Sequence, residues 1–238
     1  MGRAYEVRKA AIQKNGAVKA KLYSNFAKEI YIAAKNGGTS LEANEKLKQL
    51  VEKAKRSEVP SDIINRAIDK VNSGVDESYT FCRYEGFGPG ASTLIVDCLT
   101  DNVNRTVGLV RPAFTKCDGK IGVSNSVAHF YENICVFITK DLTEEEAFDI
   151  LLNEGIDVKD IETLDNEVVI TGDAKDYGNI RNALTSAKAN ITFDVDEVTF
   201  DALNKVTLDG EDLEKFNKLL SMLDEIEDVQ NVYHNVEL

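Results

Sequence analysis

Residues 134 to 200 read ICVFITK (134–140), TEEEAFDILLNEG (143–155), DVKDIETL (157–164), EVVITGD (167–173), DYGNIRNALTSA (176–187) and NITFDVDEVTF (190–200). The second and fifth segments carry apolar residues at helical spacing, and the other four are short apolar or alternating runs typical of strands. A strand-helix-strand-strand-helix-strand series is the order of ferredoxin-like α+β domains. The stretch therefore predicts one such domain over residues 134–200.

The segments on either side of this stretch predict a second α+β domain. Before it, YTFCRYEGF (79–87) and STLIVDCL (92–99) flank a Gly-Pro-Gly turn, a helix runs from about Asp101 to Lys116, and a strand follows around 126–131. After it come VTL (206–208), a helix over 210–224 and the strand VQNVYHNVEL (229–238). These last pieces are too short to form a domain, so we expect them to complete the sheet begun at residue 79. The middle domain is then discontinuous, 77–133 and 201–238, with 134–200 inserted into it.

The first 76 residues predict a small helical bundle. Apolar side chains recur at helical spacing over 18–36, and Gly37-Gly38 supplies a stop. Thr39-Ser40-Leu41-Glu42 predicts a capping box for a second helix, and a third opens near Pro60. Each helix has one apolar stripe, which a bundle would bury. The predicted fold class is α+β in three domains, a helical bundle followed by two α+β domains.

Charge is unevenly distributed along the 238 residues, whose net charge is −13. Residues 1–75 hold 15 lysines and arginines against 8 acidic residues, a net of +7, and residues 76–133 hold 5 against 7, a net of −2. Residues 134–238 hold 8 against 26, a net of −18. Such asymmetry indicates nucleic-acid contact at the basic end.

The most specific basic pattern lies on the first long helix. Lys21, Lys28 and Lys35 recur every seven residues, on the side opposite the apolar stripe, where they could hold phosphates without reading base sequence. The alternative is a lysine face that is only solvated. The residues expected to bind nucleic acid are Arg3, Arg8, Lys9, Lys14, Lys19, Lys21, Lys28, Lys35, Lys46, Lys53, Arg56 and Arg105. Lys48 and Lys55 add further charge after the helix.

Arg105 enters this set from the middle domain. Small polar residues around it, in LTDNVNRT (99–106), stand at a predicted helix start, where they either cap free amides or help to receive an anion.

Other functional patterns point away from an enzyme. The four cysteines form no Cys-x-x-Cys pair, the two histidines have no nucleophile or acid at motif spacing, and GFGPG (86–90) lies between strands rather than before a helix. We expect no catalytic residue, no metal and no cofactor. No apolar run is long enough to cross a bilayer, and no coiled-coil pattern is present. A cytoplasmic monomer is the expectation.

Several segments resemble the YebC family, especially its YeeN-like branch. They are RKAAIQKNGAVKAKLYSNFAKEIYIAAKNGG (8–38), EVPSDIINRAIDK (58–70), RYEGFGPGAS (83–92), CLTDNVNRT (98–106) and VQNVYHNVEL (229–238). The resemblance covers essentially the whole chain and implies three domains, the third inserted into the second. It also implies transcriptional regulation through DNA binding or, alternatively, a translation role on the ribosome through ribosomal RNA.

The chain departs from the family pattern in a few places. Tyr5 stands near a position where tryptophan is common, and Ser61 where lysine is frequent. Asp118-Gly119-Lys120 and Asn125 interrupt a segment that is richer in glycine in relatives, and His129 occupies a usually apolar position. These differences bear on transfer of individual residue roles and leave the implied fold unchanged.

Overall fold

The structure is a computed structural model that describes residues 17–74 and 77–237. The described chain divides into two compact units, one formed by residues 17–128 and 208–234 and the other by residues 129–207 and 235–237. The first contains a helical bundle and a four-stranded sheet, and the second contains another four-stranded sheet with its helices.

Three helices form the bundle: α1 (Ala17–Gly37), α2 (Glu45–Arg56) and α3 (Ser61–Asn72). Their apolar stripes meet in a core that includes the buried side chains of Ile30, Leu47 and Ile64. The predicted capping box at Thr39 is wrong, because α2 begins six residues later with Asn44 as its cap. The Asn44 Oδ1 accepts from Leu47 N at 3.1 Å, while Nδ2 donates to Ala33 O at 2.8 Å and Gly38 O at 2.9 Å. One buried amide thus caps α2 and the end of α1.

The sheet of the first unit has the order β3-β1-β2-β8 with antiparallel pairing throughout. Its strands are β1 (Thr80–Phe87), β2 (Thr93–Thr100), β3 (Lys120–Ile121) and β8 (Val229–His234), and its helices are α4 (Val103–Thr115) and α7 (Gly210–Asp224). Pairing of β8 with β2 confirms that the C-terminal strand completes this sheet. Glycine is required at residue 86, where a Cβ would lie 2.4 Å from the Phe114 ring.

The second unit contains β4 (Tyr131–Thr139), α5 (Glu144–Asn153), β5 (Asp160–Leu164), β6 (Glu167–Asp173), α6 (Tyr177–Ala187) and β7 (Val195–Ala202). Its sheet has the order β5-β6-β4-β7, with every pair antiparallel. This is the ferredoxin-like arrangement expected from the sequence. The helices pack Leu151, Ile180 and Leu184 against Phe137 and Ile170 of the sheet.

Two strand predictions are wrong. The segment 126–131 precedes β4 as a loop and a short 3-10 turn, Ala128–Phe130, and is held by a buried carboxylate. Glu85 accepts from the backbone amides of Asn125, Val127 and Ala128 at 2.7 to 2.9 Å. The VTL segment does not join the first sheet, because Val206 forms only a single bridge to Val236 in the second unit. Burial opposes ionisation of Glu85, but the three amides outweigh it and hold its pKa below the usual range.

The α+β fold class with an inserted ferredoxin-like domain is confirmed. The boundaries 1–76, 77–133 with 201–238, and 134–200 stay a prediction, since the bundle and the first sheet belong to one compact unit.

Candidate nucleic-acid interface

The predicted basic residues have very different surroundings. Arg3, Arg8, Lys9 and Lys14 lie outside the described residues, so their role stays a prediction. Lys19, at the start of α1, is exposed and forms an ion pair with Glu58, with Nζ 3.3 Å from Oε2. An exposed pair of this kind is weak and easily exchanged for another partner.

Lys28 is not on a solvated face. Its residue is 8% exposed, and its Nζ lies 3.3 Å from Glu227 O and 3.5 Å from Asp228 Oδ1. The expectation that the lysine stripe of α1 faces solvent is therefore wrong at Lys28. The physical reason is that α1 packs on both sides: its apolar stripe meets the bundle, and its lysine side meets the segment just before β8.

The neighbouring lysines of the stripe are also engaged. Lys21 is half-buried and donates from Nζ to Asp224 O at 2.9 Å, and burial lowers the pKa of its ammonium. Lys35 is exposed, yet its Nζ donates to Glu77 O at 3.1 Å and lies 5.9 Å from the centre of the Tyr31 ring. Three lysines at seven-residue spacing thus join α1 to the rest of its unit.

Asp228 is the centre of this contact and is not among the residues predicted from the sequence. Its side chain is 5% exposed and accepts from Arg105 Nη2 at 2.9 Å and Thr106 Oγ1 at 2.9 Å, besides facing Lys28. Burial opposes its ionisation, but the hydrogen bonds from Arg105 and Thr106 and the charge of Lys28 hold its pKa below the usual range. No local motif marks this aspartate, because its partners lie more than 100 residues away.

Arg105 is therefore already matched by acids. Besides Asp228, its Nη2 donates to Asp101 Oδ1 at 2.7 Å, and both acids raise the pKa of the guanidinium. Asn102 caps α4 by accepting from Arg105 N at 3.0 Å, which favours the capping interpretation of this segment. A phosphate arriving here would meet two carboxylates, so we leave Arg105 out of the interface proposed below.

A groove of about 810 Å³ lies beside this cluster and, like the surroundings of Arg105, is lined by carboxylates as well as cations. The acidic residues along it include Asp101, Glu225 and Glu227. Its cations are Lys28 and Arg105, which are engaged by Asp228, and the exposed Lys116. These carboxylates disfavour phosphate binding in the groove.

Helix α2 presents cations differently. Lys46, Lys48, Lys55 and Arg56 are exposed, and Lys53 is half-buried. At 100° per residue, Lys48 and Lys55 lie on one flank of the buried stripe, and Lys46 and Lys53 lie on the other. Burial raises the pKa of Glu29, and the nearby charges of Lys53 and Lys46 oppose that rise. The second flank therefore has a carboxylate neighbour.

Lys48 and Lys55 form no ion pair within the described part of the chain. They are seven residues apart, which is about 10.5 Å along a helix. Two ammonium groups without an ion pair lie on this exposed flank, which also carries Glu52, and they form a surface suited to phosphates. We call Lys48, Lys55 and the adjoining Arg56 the α2 cation surface.

A separate feature of the first unit lies on β1. The Phe81 side chain is 57% exposed, and the Arg83 guanidinium lies 5.6 Å from the centre of its ring. Arg83 is held in place by a bidentate contact with Asp97 on β2, at 2.6 and 2.8 Å. An exposed ring beside a fixed guanidinium offers a flat face on which an unpaired base could stack.

Neither metal-binding nor membrane-spanning features occur in the described residues. No group of three or more His, Cys, Asp or Glu side chains could hold a metal ion there. Within the same part of the chain, no helix combines the length and apolarity needed to span a membrane.

Burial raises the pKa of the Cys98 and Cys117 thiols, which disfavours the reactive thiolate form.

Comparisons with known proteins cover the whole chain. A model of the TACO1/YebC N-terminal domain matches residues 3–74, and a model of the TACO1/YebC second and third domains matches residues 79–236. A probable transcriptional regulatory protein of Vibrio parahaemolyticus is 45% identical over 238 residues, covering 100% of both chains. One from Marinobacter nauticus is 44% identical, covering 100% of this chain and 99% of its own.

A solved structure shares the fold. The crystal structure of a conserved hypothetical protein from Aquifex aeolicus has a TM-score of 0.77, 30% sequence identity and 95% coverage of both chains. With the family matches on both sides of residue 75 and full-length relatives, the comparisons agree with the resemblance noted in the sequence: the chain belongs to the TACO1/YebC family.

Proposed function

We propose that this protein is a regulator that binds nucleic acid through the α2 cation surface, together with the basic residues that precede α1. The observation that carries the proposal is the pair of exposed lysines, Lys48 and Lys55, which form no ion pair with a described acid. Phosphates replace their small counterions, and release of those counterions drives binding. Because lysine acts as a point charge on phosphate, this surface supplies affinity and orientation rather than base recognition.

Double-stranded DNA is the leading target. Relatives at 44 to 45% identity over the full chain are named probable transcriptional regulatory proteins, which supports regulation of transcription. Regulation by occupancy of DNA needs no catalytic group. In this proposal the protein works in the cytoplasm as a monomer.

Structured RNA, such as ribosomal RNA, is the second candidate. The observation that favours it is the exposed Phe81 ring with the Arg83 guanidinium beside it. Sequence-reading of RNA usually takes place on unpaired bases that stack on aromatic or arginine side chains, whereas duplex DNA keeps its bases stacked. A translation role would therefore use the β1 surface in addition to the α2 cation surface.

The direct test is a salt titration of binding. We would measure fluorescence anisotropy of a labelled DNA duplex and of a labelled RNA hairpin with an unpaired loop, between about 50 and 200 mM salt. The double variant Lys48→Glu/Lys55→Glu should reduce the slope of log affinity against log salt by about 1.8 for duplex DNA. Lys116→Glu/Lys218→Glu is the matched control, because both lysines are exposed in the same unit and the change in net charge is equal. Equal slopes for the two double variants would refute the α2 cation surface as the contact.

An experiment in living cells is needed to decide between DNA and ribosomal RNA as the target. Ultraviolet crosslinking of the tagged protein followed by RNA sequencing, with chromatin-bound DNA recovered in parallel, reports both targets at once. Discrete promoter peaks without ribosomal RNA would support transcriptional regulation, and enrichment of ribosomal RNA would support the translation role.

A further inference from the structure

The outer face of α5 in the second unit carries two exposed apolar side chains. Phe148 is 53% exposed and Leu152 is 61% exposed, and they stand one helical turn apart. The buried side of the same helix uses Ala147 and Leu151, so the core of the unit is complete without the exposed pair. Two large apolar residues at i and i+4 form a continuous patch, which is typical of a surface that packs against a partner.

Carboxylates border this patch. Glu144, Glu145 and Asp149 are exposed, and at 100° per residue they fall on both sides of Phe148 and Leu152. Among the described residues none of the three forms an ion pair, and Glu144 accepts one hydrogen bond, from Thr163 Oγ1 at 3.2 Å. Their negative charge is therefore directed to solvent.

Within residues 134–200, no basic side chain is left over to neutralise the border. Residues 134–200 hold five lysines and arginines against 16 aspartates and glutamates. All five basic side chains already contact oxygen atoms elsewhere in the unit: Lys140 with Glu167 and Asp194, Lys159 with Glu132, Lys175 with Asp173, Arg181 with Asp196, and Lys188 with Asp141 O. Anything that binds the patch must bring its own positive charge.

We propose that the outer face of α5 is a docking site for a segment of another protein that presents lysine or arginine side chains around apolar ones, as a basic amphipathic helix does. The apolar residues of the segment would cover Phe148 and Leu152, while its cations would meet Glu144, Glu145 and Asp149. Nucleic acid and anionic membranes fit the apolar pair poorly and are repelled by its border. The site goes beyond the proposed nucleic-acid function and does not depend on it.

A second copy of this chain fits less well than a different protein. Among helices with exposed cations, α2 buries its apolar Leu47 and Val51 in the bundle. On α4, which carries Arg111 and is followed by Lys116, the exposed Val103 and Leu109 are six residues apart and lie on different faces. No cation of α2 or α4 is thus accompanied by an exposed apolar stripe that could cover Phe148.

The test uses the full chain and a fluorescein-labelled amphipathic helical peptide built from leucine and lysine. Phe148→Ser/Leu152→Ser should weaken binding by about tenfold or more, because both anchors are lost. The matched control, Val198→Ser/Leu203→Ser, removes two apolar residues of the same unit that are 44% and 47% exposed, and should leave affinity unchanged. Glu145→Lys/Asp149→Lys, which keeps the apolar pair, should also weaken binding and should reduce its salt dependence.

Three results would overturn the proposal. One is equal affinity of the Phe148→Ser/Leu152→Ser variant and its control. Another is that a peptide with glutamate in place of each lysine binds as tightly as the leucine and lysine peptide. The third is a wild-type dimer in sedimentation that Phe148→Ser/Leu152→Ser converts to a monomer, since the occupant would then be a second copy. Lys48→Glu/Lys55→Glu should bind the peptide like wild type, so that failure here is separable from failure of the nucleic-acid proposal.

Discussion

The lysines of α1 and α2 have the same spacing and opposite surroundings. Lys21 and Lys28 are seven residues apart, as are Lys48 and Lys55. The first two contact Asp224 O and Asp228, while the second two face solvent without an ion pair among the described residues. Helical periodicity places a charge on a face, but only tertiary packing decides whether that face is a surface.

Removal of the Asp228 carboxylate should destabilise the protein most. Asp228→Ala leaves Lys28 buried without its acid and removes an acceptor from Thr106. Breaking a buried pair in this way costs about 3 to 5 kcal/mol of the free energy of unfolding. Urea denaturation measures the loss. Asp224→Ala is the control, because its exposed side chain accepts no hydrogen bond from Lys21 and acts on it only through charge; it should change stability by less than about 0.5 kcal/mol.

The pH dependence of this loss has a defined sign. The pKa of Asp228 is depressed in the folded protein, so its contribution is present above the ordinary carboxyl pKa, about 3.9, and is lost as pH falls through the folded value. The stability difference between wild type and Asp228→Ala should be constant between about pH 5 and 7 and shrink below about pH 4. A difference under about 1 kcal/mol at neutral pH would mean that Lys28 finds another partner.

Affinity for DNA should separate the two lysine pairs. Lys48→Glu/Lys55→Glu should weaken duplex binding by about 10- to 100-fold at low salt, because two attractive charges become repulsive. Lys21→Met/Lys28→Met should change affinity by less than about threefold when measured where the variant is folded, since neither ammonium is available to phosphate. Anisotropy titration with circular dichroism as a folding check decides the comparison. If Lys21→Met/Lys28→Met lost more DNA affinity than Lys48→Glu/Lys55→Glu, the contact would lie on α1.

Phe81→Ala should weaken binding of the RNA hairpin with an unpaired loop by about fivefold, which corresponds to a stacking contribution near 1 kcal/mol. Duplex DNA affinity should be unchanged, because its bases are not available for stacking. The control is Phe130→Ala, which removes another exposed ring and should leave RNA affinity unchanged. Phe87 is less suitable as a control, because its ring is half-buried and lies below Lys120. Equal losses on DNA and RNA would assign Phe81 a structural role.

The smallest effect is expected at Lys21. Lys21→Met should change stability by less than about 1 kcal/mol at pH 7, because loss of one hydrogen bond to Asp224 O is offset by release from a buried charge. The pKa of Lys21 is lowered on folding, so the wild type should gain stability relative to Lys21→Met as pH rises toward about 10. Thermal unfolding of both proteins between pH 7 and about 10 measures this difference.

Much of the fold could be predicted because its elements carry local patterns. The six segments of 134–200 alternate between strand and helix periods, and α7 occupies Gly210–Asp224 as its apolar spacing indicates. Pairing of β8 with β2 followed from the shortness of the C-terminal pieces. Where the prediction failed, a side chain reached across the fold: Asn44 capped α2 in place of Thr39, and Glu85 held the loop that was expected to be a strand.

The candidate site was less predictable for the same reason. Charge alone was the reason for selecting Lys46, Lys53 and Arg56. Charge does not predict how exposed a side chain is: Lys53 is half-buried, whereas Arg56 is exposed. Arg105 was selected beside a helix start, but its guanidinium is matched by Asp101 and Asp228. Asp228 lies 200 residues from Lys28, and a single sequence holds no signal that pairs them.

That separation has a consequence for synthesis. When α1 leaves the ribosome, the acid that will neutralise Lys28 has not been made, and 200 further residues, including 134–200 of the ferredoxin-like domain, must be translated first. At about 5 to 20 residues per second, the nascent chain displays the α1 lysines for roughly 10 to 40 seconds. During that interval the nascent chain has a second cationic surface, Lys21 and Lys28 of α1, which is covered in the folded protein. These lysines become covered only when β8, the last strand to be made, and the segment before it pack against α1.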